Sequence, residues 1–213
     1  MPVKLSIALI AMFVTLFVSG CMTREARQGN YVRKTSQLMI NEAYKYVREH
    51  KYEEALEVYR KAIELDPGND NIYVYRGSIY LTLNQPDKAI KDSEKAIEIN
   101  RRNEFAYVNR AEAYIVQKRY DEAIQDCDTA LSVNPDFYPA LGKRGVARFH
   151  EGEIKDAIRD LTVSIHKFPS EQAAYLYYFR SKCYDQLGKD MLAEEDLEKS
   201  VELGYRPVEE KVY

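Results

Sequence analysis

Few residues of this 213-residue chain have the types and spacings that catalysis requires. Its three histidines, His50, His150 and His166, lie far apart, and no serine or cysteine stands where a nucleophile would meet a base. The sequence contains no glycine-rich phosphate loop and no His or Cys spacing typical of a metal site. We therefore predict no catalytic residue, no metal, no cofactor and no small-molecule substrate, and we expect the histidines to lie exposed near helix ends.

Two of the cysteines, Cys127 and Cys183, fall inside helical patterns at positions that are expected to pack. A free cysteine behaves as a small hydrophobic residue, so we predict two buried thiols rather than a disulfide or a metal site. A disulfide stays open as an alternative if the chain is exported to an oxidising compartment.

Arginine and aspartate recur in two matched rows. The rows consist of Arg76, Arg110, Arg144 and Arg180, and of Asp92, Asp126, Asp160 and Asp196. Because each arginine arrives with its own carboxylate, we predict bidentate pairs that hold helices together, rather than an array that grips anionic ligands. The net charge is −3, from 31 basic and 34 acidic residues of mixed order, so no basic patch for nucleic acid is expected.

These residues belong to a segment that recurs along the chain. It reads "YEEALEVYRKAIELDP" at 52–67 and returns at 86–101, 120–135, 154–169 and 190–205, each time behind a second helical segment. One position holds Ala55, Ala89, Ala123 and Ala157, 34 residues apart, and then Ala193, which implies a two-residue insertion near 169–172. These alanines are expected to pack on Ala43, Gly77, Ala111, Gly145 and Ser181. A third small set is expected to face the next repeat: Ala62, Ala96, Ala130, Ser164 and Ser200.

The pattern resembles the tetratricopeptide repeat, and one copy carries Tyr107, Arg110-Ala111, Tyr114, Tyr120, Ala123, Ala130 and Pro135. The resemblance implies an all-α TPR solenoid of about five helix-turn-helix repeats. Their predicted ranges are 36–69, 70–103, 104–137, 138–171 and 174–207, which form a domain over 36–207 followed by a C-terminal tail, 208–213. We expect the last helix to close the stack with a polar face; the alternative is that this end docks another protein or a second copy.

The N-terminus carries an apolar stretch from Leu5 to Val18 behind Lys4, followed by Ser19-Gly20-Cys21. The stretch is shorter than the roughly 20 residues that span a bilayer, and its layout is that of a secretory signal. The phrase "VSGC" resembles the lipobox of bacterial lipoproteins. This resemblance implies a signal peptide over 1–20, lipid on Cys21 and a short tether over 21–35. Met22 then favours the outer membrane facing the periplasm in a Gram-negative host; an uncleaved anchor or an ordinary secreted protein are the alternatives.

In the family, the first helices of the repeats line a concave groove that binds an extended peptide or a partner helix. The matching positions here are Ile40, Asn41, Tyr44, Asn71, Val74, Tyr75, Ser78, Phe105, Val108, Asn109, Glu112, Lys143, Val146, Phe149, Tyr175, Tyr178, Phe179 and Lys182. Some members clamp a C-terminal carboxylate; Asn109 and Lys143 match that clamp, whereas Val74, Ser78 and Pro139 do not.

Together these features predict a non-catalytic scaffold or adaptor that binds protein partners and is lipid-anchored in the bacterial cell envelope. Analogy with the family suggests a role in envelope, secretion or pilus complex assembly. The alternative is a periplasmic chaperone that holds unfolded clients in the groove.

Overall fold

A computed structural model describes the backbone of residues 4–167 and 170–205 and the side chains of 24–167 and 171–205. Over these residues the elements are helical, which confirms the all-α repeat fold. The α-helices are α1 (Lys4–Arg48), α2 (Tyr52–Leu65), α3 (Asp70–Thr82), α4 (Pro86–Ile99), α5 (Glu104–Val116), α6 (Tyr120–Val133), α7 (Tyr138–His150), α8 (Ile154–Lys167), α9 (Ala174–Gln186) and α10 (Asp190–Glu202). A 3-10 helix spans Ser170–Ala173, where the sequence predicts the two-residue insertion.

The two helices of every repeat are joined by the same tight turn. Its left-handed residue is His50, Asn84, Lys118, Gly152 and Gly188 in successive repeats, with φ between 53° and 81°. The next amide donates back to a carbonyl near the helix end, as from Arg119 to Tyr114 at 2.8 Å. This bond satisfies a carbonyl that the helix would otherwise leave without a partner. Only glycine enters the left-handed region freely, so the first three repeats make the turn at some conformational cost.

Proline and asparagine set the helix starts that the sequence predicts. Pro86 and Pro139 lie in the first turns of α4 and α7, where a missing N–H leaves no bond unmade. Asn103 caps α5, because its side-chain oxygen accepts from the amide of Ala106 at 3.2 Å.

The chain forms two compact units, Met1–Ile72 and Tyr73–Tyr213. In the first unit α1 packs on α2 through Ala43 and Ala55, which are both fully buried. Ser36 also ties α1 to the C-terminal end of α2, because its hydroxyl donates to Asp66 at 2.8 Å. Helix α1 continues upstream of Ser36 without a break.

In the second unit, neighbouring helices from α4 to α10 pack in chain order. Each buried cluster combines the second helix of one repeat with the first helix of the next. One cluster joins Cys127 of α6 to Ala140 and Ala147 of α7, and another joins Leu161 of α8 to Leu176 and Cys183 of α9. Each repeat therefore buries its apolar surface only with its neighbours' help.

The last repeat corrects one prediction about the small residues. Ser200 is fully buried although α10 is the last of the described helices, and Ser164 at the equivalent position donates to the carbonyl of Tyr138 in its own repeat at 2.9 Å. This position therefore packs inward rather than toward the next repeat. Ala193 is only half-buried, whereas its four equivalents are fully buried, so the alanine position is the one that needs the following repeat.

Cys127 and Cys183 are free and fully buried, as the sequence predicts. Burial raises the pKa of both thiols, that of Cys183 to about 12. His50, His150 and His166 are exposed.

The N-terminal predictions fall largely beyond what the structure describes. The side chains of residues 1–23, including that of Cys21, and the tail 208–213 lie outside the described residues. Within the part that was described, no helix has the length and apolarity of a membrane span.

A candidate peptide-binding surface

The arginine and aspartate rows form the predicted bidentate pairs. In the third repeat, Nε and Nη2 of Arg110 donate to the two carboxylate oxygens of Asp126, both at 2.7 Å. The same geometry recurs in Arg76 with Asp92, Arg144 with Asp160 and Arg180 with Asp196. The hydrogen bonds to the aspartate raise the pKa of Arg110 above its ordinary value although burial opposes this. The guanidinium groups are therefore paired within the scaffold and do not form a row of anion-binding sites.

The row also links consecutive repeats. Arg144 of α7 reaches Asp128 of α6 at 2.5 Å, and Arg180 of α9 donates to Thr162 of α8 at 3.1 Å. Because the first helix runs antiparallel to the second helix of the preceding repeat, each contact ties the two helices of its own junction at equivalent positions. This arrangement places the first helices α5, α7 and α9 side by side.

The predicted groove residues of the second unit divide into a surface layer and a buried layer. Tyr75 and Phe105 are 43% and 53% exposed, and Ser78 and Lys182 are exposed as well. Val74, Val108 and Val146 are buried in the helix packing. The three valines therefore shape the surface from beneath and offer no area of their own to a partner.

In the first unit, Asn41 and Tyr44 are exposed, whereas Ile40 is buried. Asn71, near the end of that unit, is exposed. Ile40 is thus a core residue, for the same reason as the three valines.

Three polar groove residues are engaged within the chain. The Asn109 amide donates to the carbonyl of Val74 at 2.8 Å. Lys143 Nζ lies 2.8 Å from a carboxylate oxygen of Glu112 and 4.9 Å from the ring centre of Tyr175. Burial lowers the pKa of Lys143, but Tyr175 and Glu112 outweigh burial and hold the pKa above its ordinary value. The two residues that match a carboxylate clamp are therefore already paired.

Aromatic side chains gather at the C-terminal half of the surface. Phe179 lies between Phe149 and Tyr178, with ring centres 5.7 Å and 5.5 Å away. Two further rings join them that the sequence analysis did not assign to the surface: His150 is 5.8 Å from Phe179, and Tyr205 is 5.1 Å from Tyr178. We call these five residues the aromatic cluster. His150 directly follows Phe149 in the sequence, which is the signal that could have identified it.

A cavity of about 580 Å³ opens beside the aromatic cluster, at the start of α9. Its walls are formed by Lys143, Glu171, Gln172, Ala174, Tyr175, Leu203, Gly204 and Tyr205. Glu171 and Gln172 belong to the 3-10 helix, so the two-residue insertion supplies one wall. A break in the repeat period was the only sequence signal for these two residues.

The surface has the features of a peptide site. Half-exposed rings supply apolar contact area at a low cost in side-chain entropy, and exposed amides and Lys182 offer hydrogen bonds at the rim. Over the described residues, no group of three or more His, Cys, Asp or Glu could hold a metal ion.

Comparison with known proteins identifies the repeats. Models described as tetratricopeptide repeat match residues 105–137 and residues 71–103 and 174–203, and a model described as TPR repeat matches 43–84. A comparison with curated proteins found no match.

Several solved structures share the fold. One, described as a functional characterisation of Pseudomonas aeruginosa pilF, aligns with a TM-score of 0.70 and 18% identity over 82% of this chain and 79% of that chain. TTC0263, a thermophilic TPR protein in Thermus thermophilus, aligns with a TM-score of 0.68 and 18% identity over 79% and 91%. YrrB, described as a TPR protein with an unusual peptide-binding site, aligns with a TM-score of 0.56 and 22% identity over 78% and 84%.

The recurring small residues, the shared turn and these matches lead to one conclusion. The chain is a tetratricopeptide repeat protein, a member of a family of protein-interaction scaffolds that are generally not catalytic.

Proposed function

We propose that this protein is a lipid-anchored adaptor of the bacterial cell envelope and that it binds a peptide or a helix of a protein partner on the α5, α7 and α9 surface. The observation that supports the site is the aromatic cluster beside the cavity at the start of α9. Rings that are partly exposed on a rigid helical scaffold provide binding energy without a large ordering cost.

The chemistry of the site favours a ligand with apolar side chains over one that binds through a single negative charge. Lys143 is neutralised by Glu112, and the arginine row is neutralised by its aspartates. Lys182 is exposed beside the rings, with Nζ 5.6 Å from the ring centre of Tyr178. The partner segment would therefore place aromatic or aliphatic residues on the cluster and a polar or acidic group near Lys182.

The anchoring part of the proposal rests on the sequence alone. The apolar stretch, the small pair Ser19-Gly20 and Cys21 together resemble a lipoprotein signal. Several acyl chains hold a protein stably at a membrane, whereas one chain does so only marginally. The scaffold would thereby hold its partner close to the membrane, facing the periplasm in a Gram-negative host.

Site-specific photocrosslinking in cells tests the binding surface. A photoreactive phenylalanine analogue is introduced at Phe179, and a matched control carries it at Val163, an exposed apolar residue of α8. We expect one abundant crosslinked partner from position 179 and none from position 163. Many substoichiometric products at position 179 would instead favour the chaperone that holds unfolded clients. The same products from both positions would refute the surface.

A further inference from the structure

Over the described residues, the face of α10 that would pack on a following repeat is exposed. In the three preceding repeats the corresponding central residue, Ser93, Cys127 or Leu161, is fully buried, whereas Leu197 is 41% exposed. Val201 is 58% exposed, although its equivalents Ile97, Leu131 and Ile165 are partly or fully buried. We call Ala193, Glu194, Leu197 and Val201 the tail face. At Leu197 and Val201 this face is apolar, whereas Glu194 is polar and exposed.

Helix α1 likewise exposes the face that, in later repeats, packs on the second helix of the preceding repeat. Leu38 is 60% exposed, whereas its equivalents Ala106, Ala140 and Leu176 are fully buried against the preceding repeat. Lys45, two turns further along α1, is exposed, and its equivalents Ala113, Ala147 and Cys183 are fully buried. We call Leu38, Glu42 and Lys45 the head face.

The junctions inside the chain show how two such faces would meet. The bonds from Arg144 to Asp128 and from Arg180 to Thr162 fix an antiparallel register. In that register, the residue equivalent to Leu38 lies opposite the one equivalent to Val201. The residue equivalent to Lys45 lies opposite the one equivalent to Glu194.

The residues at these positions match each other across two copies. Glu194 stands where the preceding three repeats have Ile90, Ile124 and Ile158. Lys45 stands where the following repeats have apolar residues, namely Ile79, Ala113, Ala147 and Cys183. A glutamate at the tail and a lysine at the head thus replace an apolar contact by a pair of opposite charge. Leu38 opposite Val201 keeps the apolar contact.

We infer that the tail face of one copy binds the head face of a second copy, so that the last repeat of one molecule packs on the first repeat of the next. Such a head-to-tail contact is heterologous, so it leads to a ring or to an open chain of copies. One helix seam is small, so the association is weak in dilute solution. Confinement to a membrane surface would raise the effective concentration of the two faces.

One pair opposes the contact. In the junction register, Glu42 takes the place of Arg144 and faces Glu198, which takes the place of Asp128. Both glutamates are exposed, so their repulsion is screened by solvent but still lowers the affinity. Glu42→Arg would recreate the Arg144 to Asp128 contact between copies, and we expect this substitution to tighten association.

The test measures the mass of the full chain in mild detergent by analytical ultracentrifugation over a range of concentrations. We expect the average mass to rise with concentration. Leu38→Glu and Val201→Glu each shift the midpoint upward by about tenfold or more, because each places a carboxylate in an apolar contact. Val163→Glu, an equally accessible position on α8, leaves the midpoint unchanged. Glu42→Arg lowers it.

Mixing the variants identifies the faces. Leu38→Glu retains a normal tail and Val201→Glu a normal head, so an equimolar mixture forms dimers and stops there. Lys45→Glu and Glu194→Lys each weaken association, and the chain that carries both recovers it. These charge reversals lie at exposed positions and leave the fold intact, which circular dichroism checks.

Three results would overturn the inference. The first is a wild-type mass that does not change with concentration. The second is a Leu38→Glu variant that dimerises as well as the wild type, which would show tail-to-tail pairing. The third is association that appears only after deletion of residues 206–213, which would show that the chain covers its own tail face.

Discussion

Gly145 and Gly77 occupy the same position in two repeats, yet we predict that replacing them with alanine has opposite effects. A Cβ on Gly145 would lie 2.8 Å from Cγ of Leu161 and 3.2 Å from its backbone nitrogen. A Cβ on Gly77 would meet nothing closer than 3.6 Å. Alanine favours a helix over glycine by about 1 kcal/mol, whereas overpacking a core costs about 1–3 kcal/mol.

These magnitudes decide the sign at each site. Gly77→Ala gains the helix term without a clash, so we expect the free energy of unfolding to rise by about 0.5–1 kcal/mol. Gly145→Ala gains the same helix propensity but loses more to the clash, so we expect its free energy of unfolding to fall by about 1 kcal/mol. Since a solenoid's stability is approximately a sum over repeats and junctions, each effect stays local.

A second substitution separates overpacking from other causes. The third repeat pairs Ala111 with Cys127, where the fourth repeat pairs Gly145 with Leu161. Leu161→Cys alone should cost about 2 kcal/mol because it leaves a cavity. Combined with Gly145→Ala it recreates the pair of the third repeat, so the loss of the double variant should be smaller than the sum of the single losses by about 1 kcal/mol or more.

Urea unfolding followed by far-UV circular dichroism measures these differences, on a form of the chain that begins at Met22. Comparable slopes across the variants would show that the same surface unfolds in each. If Gly145→Ala stabilised the protein as much as Gly77→Ala, or if the double variant lost the full sum, the small residue would not be compensating for Leu161.

Three further predictions follow from the burial and charge of particular groups. Asp126→Asn should lower the free energy of unfolding by about 2 kcal/mol, because it removes the counter-ion of the half-buried Arg110. As a control in the same urea titration, Glu98→Gln breaks the exposed pair with Lys95 and should change the free energy of unfolding by about 0.5 kcal/mol or less. Equal losses from the two variants would contradict the prediction. Burial holds the pKa of Cys183 at about 12 in the folded chain against 9.0 for an ordinary thiol. The contribution of this thiol to stability is therefore present below pH 9 and is lost as the pH rises toward 12. The free energy of unfolding of Cys183→Ala should decline less over that range, and a rapid reaction of Cys183 with a thiol reagent in the native protein would argue against its burial. Cys21→Ser should abolish metabolic labelling with palmitate and release the protein from membranes or leave an unprocessed precursor, whereas unchanged labelling and fractionation would refute the proposed anchor.

The sequence predicts the helices and their packing well because every inner repeat provides the same environment. Arg110 and Asp126 can be paired from their spacing, since the equivalent residues recur together three more times. The turn could not be read from one residue type, because histidine, asparagine, lysine and glycine all adopt the same left-handed conformation there. The backbone bonds of the turn, rather than the side chain, determine it.

The candidate site is less predictable for a different reason. The family's groove positions are defined for an average repeat, but the depth of each position depends on the side chains around it. Val108 and Phe105 both belong to the predicted groove, yet one is buried and the other is half-exposed. The cavity also depends on Glu171 and Gln172, which interrupt the period and have no equivalent in the other repeats.

The exposed faces of α1 and α10 also differ from the equivalent positions of the inner repeats. Inside the chain, the position of Leu38 is filled by residues that a preceding helix buries, and the position of Val201 by residues that a following helix buries. If both positions stayed in contact with solvent, selection for solubility alone would favour polar residues there. The chain instead keeps Leu38 and Val201 apolar and carries Lys45 at one end and Glu194 at the other, although Glu42 and Glu198 oppose the contact. The pair of Lys45 with Glu194 favours head-to-tail pairing, whereas Lys45 against Lys45 or Glu194 against Glu194 would oppose pairing of two identical ends.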